Sequence, residues 1–295
     1  MPSLQGPTID NTVGAIFLGV VGAAFLYGVT TLQAYWYYHR FTKDSRVHKY
    51  SVGILWVLDT FHLCLTIHAV WSYVVTGFGD VNGLKLINWS IRLRAVIDIL
   101  VIVIVQCLYA FRVWILSGYH NAFVRYIAAA VVGVGFVMGI ILTYQVYIIS
   151  TYEELRTVGW ALTASLGTST AIDFVLCGAM CFYLRKSKGM GTRLNSRISR
   201  LMQYTLSSGL FTSTCSLSAM ITYVTLPNTM VFLAVEFLLT KLYIGSFFAM
   251  LNARERTREP RDAEQHSSVN FRAPSLPSPS SSDDIVAHPG KISPW

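Results

Sequence analysis

Several ionisable side chains of this sequence lie inside apolar stretches that are long enough to cross a lipid bilayer. The stretch 54–71, for example, contains Asp59, His62 and His68. Because charge at such depth is costly, each of these groups requires a partner or a water-filled cavity. Carboxylates, histidines and a lysine in this setting pair permanently, hold a charged ligand or relay protons. The candidate partners in other apolar stretches are Arg94, Asp98, Asp173, Glu236 and Lys241.

Helical spacing sorts these groups into two predicted layers. At about 100° per residue, Asp59 and His62 share one face of their helix, whereas His68 points roughly the opposite way. Depth along each helix, taken at ~1.5 Å per residue, separates the groups further. The inner layer, on the order of 18 to 23 Å from the outer surface, comprises Asp59, His62, Asp173 and Lys241. The outer layer comprises His68, Asp98 and Glu236, about 10 to 12 Å from that surface, together with Arg94. Arg94 lies four residues before Asp98, a spacing that permits an ion pair.

Two interpretations of these layers stay open. Buried polar contacts in membrane bundles are often fixed contacts between helices, each worth on the order of 1 kcal/mol. The same residue types also form switches and ligand sites. The sequence does not distinguish a structural inner layer from a functional one.

Catalytic and cofactor chemistry has little support in the sequence. A carboxylate dyad of Asp59 and Asp173 lacks a Gly-x-Gly-Asp-like setting. Lys241 permits a Schiff base with retinal and Asp98 as counter-ion, but Glu236 lies five rather than four residues before the lysine, unlike the microbial opsin pattern. All five cysteines lie in apolar stretches without companion metal ligands. We therefore expect no enzyme activity, no metal site and no cofactor.

The composition is that of a membrane protein. Of the 295 residues, 53% are hydrophobic and only 13% are charged, which is far more apolar than a soluble domain. The formal net charge of +8 does not indicate nucleic-acid binding, because the basic residues form short clusters between apolar stretches, where topology signals lie. The expected partner is the lipid bilayer. These features leave the oligomeric state open.

Apolar stretches of about 20 residues, the length of one crossing, predict an all-α, polytopic membrane protein built as a seven-transmembrane helix bundle. The predicted spans are 13–38, 52–75, 90–114, 123–149, 158–184, 202–226 and 229–251. The chain is thus divided into an extracytosolic N-terminus at 1–12, a seven-helix transmembrane domain at 13–254 and a cytosolic tail at 255–295. Because the Ser/Pro-rich tail lacks the apolar content for a core, we expect it to be disordered.

The distribution of Lys and Arg predicts the orientation. With the N-terminus outside, 16 basic residues lie near the cytosolic ends of the spans and 4 near the outer ends, as the positive-inside rule requires. The C-terminus is then cytosolic. The densest cytosolic group is the connection 185–200, which together with the tail is a candidate contact for a cytosolic partner. Both the plasma membrane and an endomembrane are compatible with this orientation.

Two patterns indicate modification. Asn88 begins an Asn-Trp-Ser sequon on the predicted outer side, although its position almost at the membrane surface disfavours glycosylation. In the tail, serines that precede Asp283 and Asp284 are candidates for phosphorylation in an acidic context, although an inert solvated tail is the simpler interpretation. These serines are Ser280, Ser281 and Ser282.

Several short strings of this sequence occur together in a known family. Over 168–254, Asp173 opens a Leu-spaced helix, a basic loop follows, the next span begins QYTLSSGLFTS, and the stretch ends KLYIGSFFAMLNAR. Upstream stand NTVGAIFLGV, LDTFHL and FRVWILS. In these strings the chain resembles seven-helix membrane proteins of basidiomycete fungi that end in a domain of unknown function. The resemblance implies the fold and topology of that family but no established activity.

Two main functions fit these features. A receptor-like or sensory protein is indicated by the seven spans, the outside N-terminus, the basic connection and the serine-rich tail. The third span, however, ends in AFRVWILS rather than an acidic-Arg-aromatic triplet, and the seventh lacks Asn-Pro-x-x-Tyr, so the common G-protein-coupled class is not supported. The alternative is a transporter or channel for protons or a small charged solute, although no inverted repeat is visible. A structural membrane scaffold is a third, minor possibility.

Overall fold

A computed structural model describes residues 13–78, 86–117, 122–152, 154–186, 192–226 and 229–253. They belong to one compact unit, Met1–Thr257. The N-terminus 1–12, the middle of the basic connection at 187–191 and the tail 255–295 lie outside the described residues. The same is true of the candidate phosphorylation sites Ser280, Ser281 and Ser282.

The described chain folds into long α-helices joined by short connections. The seven α-helices of the described residues are α1 Ala15–Arg40, α2 Arg46–Trp71, α3 Trp89–Ser117, α4 Ala122–Ile148, α5 Gly159–Lys186, α6 Thr192–Thr225 and α7 Val231–Asn252. A π-helical turn, Ser72–Thr76, extends α2. Strand-like pairing in this part of the chain is limited to an isolated bridge between Leu86 and Thr151. The protein is therefore all-α, as the sequence predicts.

Six helical segments among the described residues are long and apolar enough to cross a membrane. They are Ala15–Arg40, Arg46–Thr76, Trp89–Ser117, Tyr126–Ile148, Gly159–Lys186 and Val231–Asn252. Segments of this length and composition are typical of an integral membrane protein. Helix α6, predicted as the sixth of seven spans, is not among the six because its many serines and threonines lower its hydropathy.

The helices extend beyond the apolar stretches that predicted them. Helix α2 begins at Arg46, whereas the predicted span begins at 52, and α6 begins at Thr192, whereas the predicted span begins at 202. Hydropathy marks only the apolar part of a helix, while backbone hydrogen bonding continues through polar turns at its ends. The apolar pattern therefore locates the helices but not their ends.

Helices α3 and α7 form the centre of the bundle. Helix α3 packs on α2, α4, α5 and α7, and α7 packs on α1, α2, α3 and α6. Each remaining helix packs on its neighbours in the chain, and α1 also packs on α7, which closes the ring. Helix α7 is the most buried of the six candidate spans. Several polar side chains of α3 and α7 are accordingly buried in the protein, among them Arg94, Gln106, Thr240 and Lys241.

Glycine brings the backbones of α1 and α7 close together. A Cβ added at Gly19 would lie 2.8 Å from the Cα of Ala234, which is well inside van der Waals contact. In the same way, a Cβ added at Gly139 of α4 would lie 2.5 Å from the side chain of Ile99 on α3. Small residues at such positions allow the close packing that is common between membrane helices.

Candidate functional site

The largest group of buried charges joins α3 to α7. Arg94 and Asp98 lie one turn apart on α3, and Arg94 Nη1 is 2.8 Å from Asp98 Oδ2. Arg94 Nη2 is 3.4 Å from Oε2 of Glu236 on α7. Thr240, one turn after Glu236, donates its hydroxyl to Asp98. All four residues line one cavity, and we call them the pocket wall.

Arg94 is almost fully buried within this wall, with 1% of its surface exposed. Burying a guanidinium is costly unless nearby groups compensate its charge and its donors. The Nε donor has no hydrogen-bond partner among the described residues. Two carboxylates compensate the charge, and the Phe237 ring adds a cation–π contact, with its centroid 4.8 Å from the guanidinium carbon. Arg94 therefore holds α3 and α7 together.

Helix α2 contributes His62 to the same group. His62 is fully buried, and its Nε2 lies 2.7 Å from Asp98 Oδ1. The sequence predicts that His62 acts with Asp59 in the inner layer, but the structure directs its ring toward α3. The roughly 60° between the two side chains on their helix is enough for them to face different neighbours. Asp98 is thus the point at which α2, α3 and α7 meet.

Asp59 and Lys241 form a separate ion pair, in which both side chains are 0% exposed. Lys241 Nζ donates to the carboxylate of Asp59 and, over 2.7 Å, to its backbone carbonyl. Thr30 of α1 donates to the other carboxylate oxygen over 2.7 Å. The Tyr27 ring also faces the ammonium, with its centroid 5.4 Å from Nζ. We call Asp59 and Lys241 the closed pair, because protein groups surround both charges.

Asp173 stands apart from Lys241, although the sequence places both in the inner layer. Its carboxylate accepts hydrogen bonds from Tyr243, Thr212 and Gln106. These neutral donors come from α7, α6 and α3. Among the described residues Asp173 has no cationic partner, and its partners are the three neutral donors. The predicted inner layer is therefore divided among three sites.

His68 is also separate from the predicted outer layer. Its Nδ1 is within hydrogen-bonding distance of the Ser90 hydroxyl, and its ring lies against that of Trp89, with centroids 5.0 Å apart. The remaining outer-layer residues, Arg94, Asp98 and Glu236, are in contact as described above. His68 lies six residues after His62, which turns it about 120° away on the helix.

Depth counted along each helix does not separate the two predicted layers, because it depends on where each helix enters the membrane. An error of about 4 residues at one end shifts a depth by about 6 Å, which is more than half the separation expected between the layers. In the structure, Thr240 contacts Asp98 while its neighbour Lys241 contacts Asp59. Residues of the two predicted layers thus lie at similar heights and differ in the direction in which they point.

A cavity of about 110 Å³ lies between α3, α4, α5 and α7. This volume holds several water molecules or a small ligand. The pocket wall forms one side, and Gln106 and Ser169 add polar groups farther along the helices. Most of the remaining surface is apolar and includes Met138, Leu142 and Val146 of α4. A mostly apolar lining with a few polar groups is typical of small-molecule sites.

The connections α2–α3 and α4–α5 meet over one end of this cavity. Ile87 N–H donates to the carbonyl of Ser150 over 2.9 Å, and the Tyr73 and Tyr152 hydroxyls are 3.5 Å apart. Burial raises the pKa of the Tyr152 phenol well above its ordinary value, so it stays neutral. Ser150 N–H also donates to Glu154 over 2.8 Å, which lowers the pKa of that carboxyl. We call these five residues the roof.

The sequon at Asn88 lies beside the roof. Asn88 is half-buried, and its N–H donates to the Tyr73 hydroxyl over 3.1 Å. The sequon serine, Ser90, is fully buried on the first turn of α3 and in contact with His68. In the folded protein the sequon is thus not presented as an exposed loop.

The described residues contain no cluster of three or more metal-ligating side chains. Their five cysteines are free, and those on α5, Cys177 and Cys181, lie one turn apart. Asp59 and Asp173, considered as a catalytic dyad, contact different partners in different parts of the bundle.

Sequence reasoning missed the neutral members of these sites. Thr30, Gln106, Tyr243 and Thr240 supply hydrogen bonds to the buried carboxylates, but none of them carries charge. The available signal was a polar residue inside an apolar run, as for Gln106 in LVIVIVQCLYA. The cavity had no sequence signal, because it depends on how four helices pack.

Comparison with known proteins adds a family match over part of the chain. Residues 169–256 match a family of unknown function, DUF6534. The matched segment contains Asp173, Glu236 and Lys241 but begins after α2 and α3, so it does not include their partners on those helices. No curated protein and no solved structure matches the chain.

Proposed function

We propose that this protein is a receptor-like or sensory membrane protein that binds a small, mostly apolar ligand in the cavity between α3, α4, α5 and α7. The observation that carries the proposal is the cavity itself, which combines an apolar lining with one charged wall. The role is binding rather than catalysis. The charges of the wall anchor the ligand, and the apolar surface provides most of the contact area.

We further propose that all seven helices cross the membrane, including α6. One face of α6 exposes large apolar side chains suited to lipid, and several hydroxyls bond carbonyls one turn earlier. Internal bonding of this kind removes much of the cost of placing Ser and Thr in a bilayer. The exposed apolar residues are Leu206, Leu210, Leu217, Ile221 and Val224.

The proposed orientation places the N-terminus outside and the C-terminus in the cytosol. Support comes from the excess of basic residues at the opposite end of the bundle from the roof, including exposed Arg185 and Lys186 at the end of α5. In this orientation the roof faces the outside, and the cavity receives its ligand from that side.

The pocket wall also supplies a route from the ligand to the helices. Glu236 contacts Arg94, which contacts Asp98, which in turn contacts His62 on α2 and Thr240 on α7. A ligand that changes the contact between Glu236 and Arg94 therefore alters the packing of α2, α3 and α7. Signalling requires a change of this kind, in which two arrangements bind the ligand differently.

A ligand screen tests the proposal. The full chain in lipid nanodiscs is screened for compounds that raise its thermal unfolding temperature. We expect binders whose stabilisation disappears in Leu142→Trp, which fills the cavity, and persists in Leu210→Trp, a matched change on the exposed face of α6. Binders that stabilise both variants equally would place the site elsewhere and overturn the proposal.

A proton or solute transporter is the alternative function. It is favoured by a second cavity of about 20 Å³ beside Asp173, which has room for about one water molecule. Flux through proteoliposomes that is lost in a variant carrying both Asp59→Asn and Asp173→Asn would support a transporter. Absence of flux, with ligand binding intact, would support the receptor-like role.

A further inference from the structure

Glu236 is the incompletely paired carboxylate of the pocket wall. Among the described residues its side chain contacts one charged group, Arg94, at 3.4 Å. Asp98, by contrast, receives Arg94 at 2.8 Å and also contacts His62 and Thr240. Because 16% of the Glu236 side chain is exposed and it lines the cavity, it offers an unused acceptor to whatever enters.

The charge of the wall indicates which kind of ligand Glu236 would bind. One guanidinium faces two carboxylates, and its closer contact is with Asp98. An anionic ligand would be repelled by both carboxylates, and each of them already lies within ion-pair distance of the Arg94 guanidinium. A neutral ligand would leave Glu236 sharing the one guanidinium with Asp98, at the longer of the two contacts, in a mostly apolar cavity where incomplete pairing of a charge is costly. Of the three kinds of ligand, a cation would therefore interact most favourably with the wall.

The cation that fits is organic. The described residues hold no group of three or more metal-ligating side chains, whereas a metal ion in a protein needs several such ligands. The apolar surface of α4, which includes Leu142 and Val146, instead favours a hydrocarbon body beside the charged group.

We propose that the cavity binds a small apolar molecule that carries a protonated primary or secondary amine, with the ammonium donating to Glu236 and the hydrocarbon body among the apolar side chains of α4 and α5. This inference rests on the proposed function, because it names the ligand class of the same pocket. Charge-assisted hydrogen bonds of this kind improve affinity by about 10- to 100-fold.

Matched pairs of amines and alcohols test the inference. The probes are 2-phenylethylamine, tryptamine and octylamine, together with 2-phenylethanol, tryptophol and octanol. Each is titrated against the full chain in nanodiscs, and the signal from empty nanodiscs is subtracted. We expect at least one amine to bind about 10-fold or more tightly than its alcohol.

Three variants assign the preference to Glu236. Glu236→Gln should abolish the preference for amines, Glu236→Asp should retain part of it, and Glu154→Gln, an acid-to-amide change on the exposed roof carboxylate, should leave it unchanged. The unfolding temperature of each variant without ligand shows whether it is folded. The Asp variant keeps the test decisive if the Gln variant does not fold, since it preserves the charge at a changed distance.

The outcomes separate this inference from the proposed function. If alcohols bind as tightly as amines, or if Glu236→Gln keeps the preference, the amine inference is overturned; binding that is still lost in Leu142→Trp would leave the pocket in place. If no probe binds, the amine inference also fails. The proposed function itself fails only if compounds that bind the protein are insensitive to Leu142→Trp.

Discussion

The closed pair and the pocket wall are two groups of buried charges, each with a charged residue on α7, yet they differ in how completely the charges are paired. In the closed pair both side chains are 0% exposed, and Asp59 accepts from Lys241 and Thr30. In the pocket wall, the side chains of Asp98 and Glu236 are 14% and 16% exposed and line a cavity. Lys241 and Thr30 also line a cavity, of about 330 Å³, but both charged side chains of the closed pair are inaccessible and have partners in the protein, whereas the wall carries an accessible carboxylate with an unused acceptor.

This difference separates two uses of intramembrane charge. A charge whose partners are all in the protein fixes the packing of helices, and here it joins α2 to α7. A charge that faces a cavity and is incompletely paired is available to a ligand, as we propose for Glu236. The two groups meet at Thr240 and Lys241, adjacent residues whose side chains point about 100° apart on α7. Movement of α7 on ligand binding would therefore strain the closed pair as well.

The largest expected change in the free energy of unfolding follows from removing one charge of the closed pair. Lys241→Met leaves the Asp59 charge buried without its partner, and such changes cost about 3 to 5 kcal/mol. Asp59→Asn combined with Lys241→Met removes both charges and should recover much of the loss. The free energy of unfolding in mixed micelles measures both. A loss below about 1 kcal/mol in the single variant would mean that the pair is solvated.

A much smaller effect is expected at the pocket wall. Glu236→Gln removes one contact of 3.4 Å and leaves Arg94 paired with Asp98, so the free energy of unfolding should change by no more than about 1 kcal/mol. The same unfolding measurement applies. If this variant is destabilised as much as Lys241→Met, the contrast between the two groups is wrong and Glu236 is a structural residue.

The smallest effect concerns the roof. The pKa of Glu154 is lowered chiefly by the hydrogen bond from Ser150 N–H, so its contribution is fully present above the ordinary pKa of Glu, about 4.3, and is lost as pH falls through the lower folded value. Amide exchange at Ser150 should therefore accelerate, relative to its intrinsic rate, below about pH 4. In Glu154→Gln this added pH dependence should disappear. The same pH dependence in both proteins would exclude Glu154 as its source.

Much of the fold can be predicted from the apolar pattern. Long apolar stretches locate the helices because a bilayer requires about 20 residues per crossing and internal backbone hydrogen bonding. Helix α6 is the difficult case, since its hydropathy is low although its hydroxyls bond its own carbonyls and its partners. A hydropathy scale gives every hydroxyl the same value whether or not it is hydrogen-bonded. Only the structure shows which hydroxyls have a hydrogen-bond partner.

The candidate site is less predictable than the fold. Charged residues in apolar stretches suggest the participants, and the spacing of four between Arg94 and Asp98 permits the contact that they make in the structure. The partners of His62 and Asp173 depend on how neighbouring helices are rotated and shifted, which hydropathy does not record. The cavity likewise depends on the fit of four helices, so no single stretch of sequence contains it.

Thiol accessibility tests the contrast between the two charged groups most directly. In a background without the native cysteines, Ser165→Cys places a thiol on the cavity lining and Thr30→Cys places one beside the closed pair. A membrane-impermeant thiol reagent added from the outside should modify the first and spare the second. Equal modification of both, or modification of Thr30→Cys alone, would contradict the proposed outward-facing ligand pocket and its contrast with the buried ion pair.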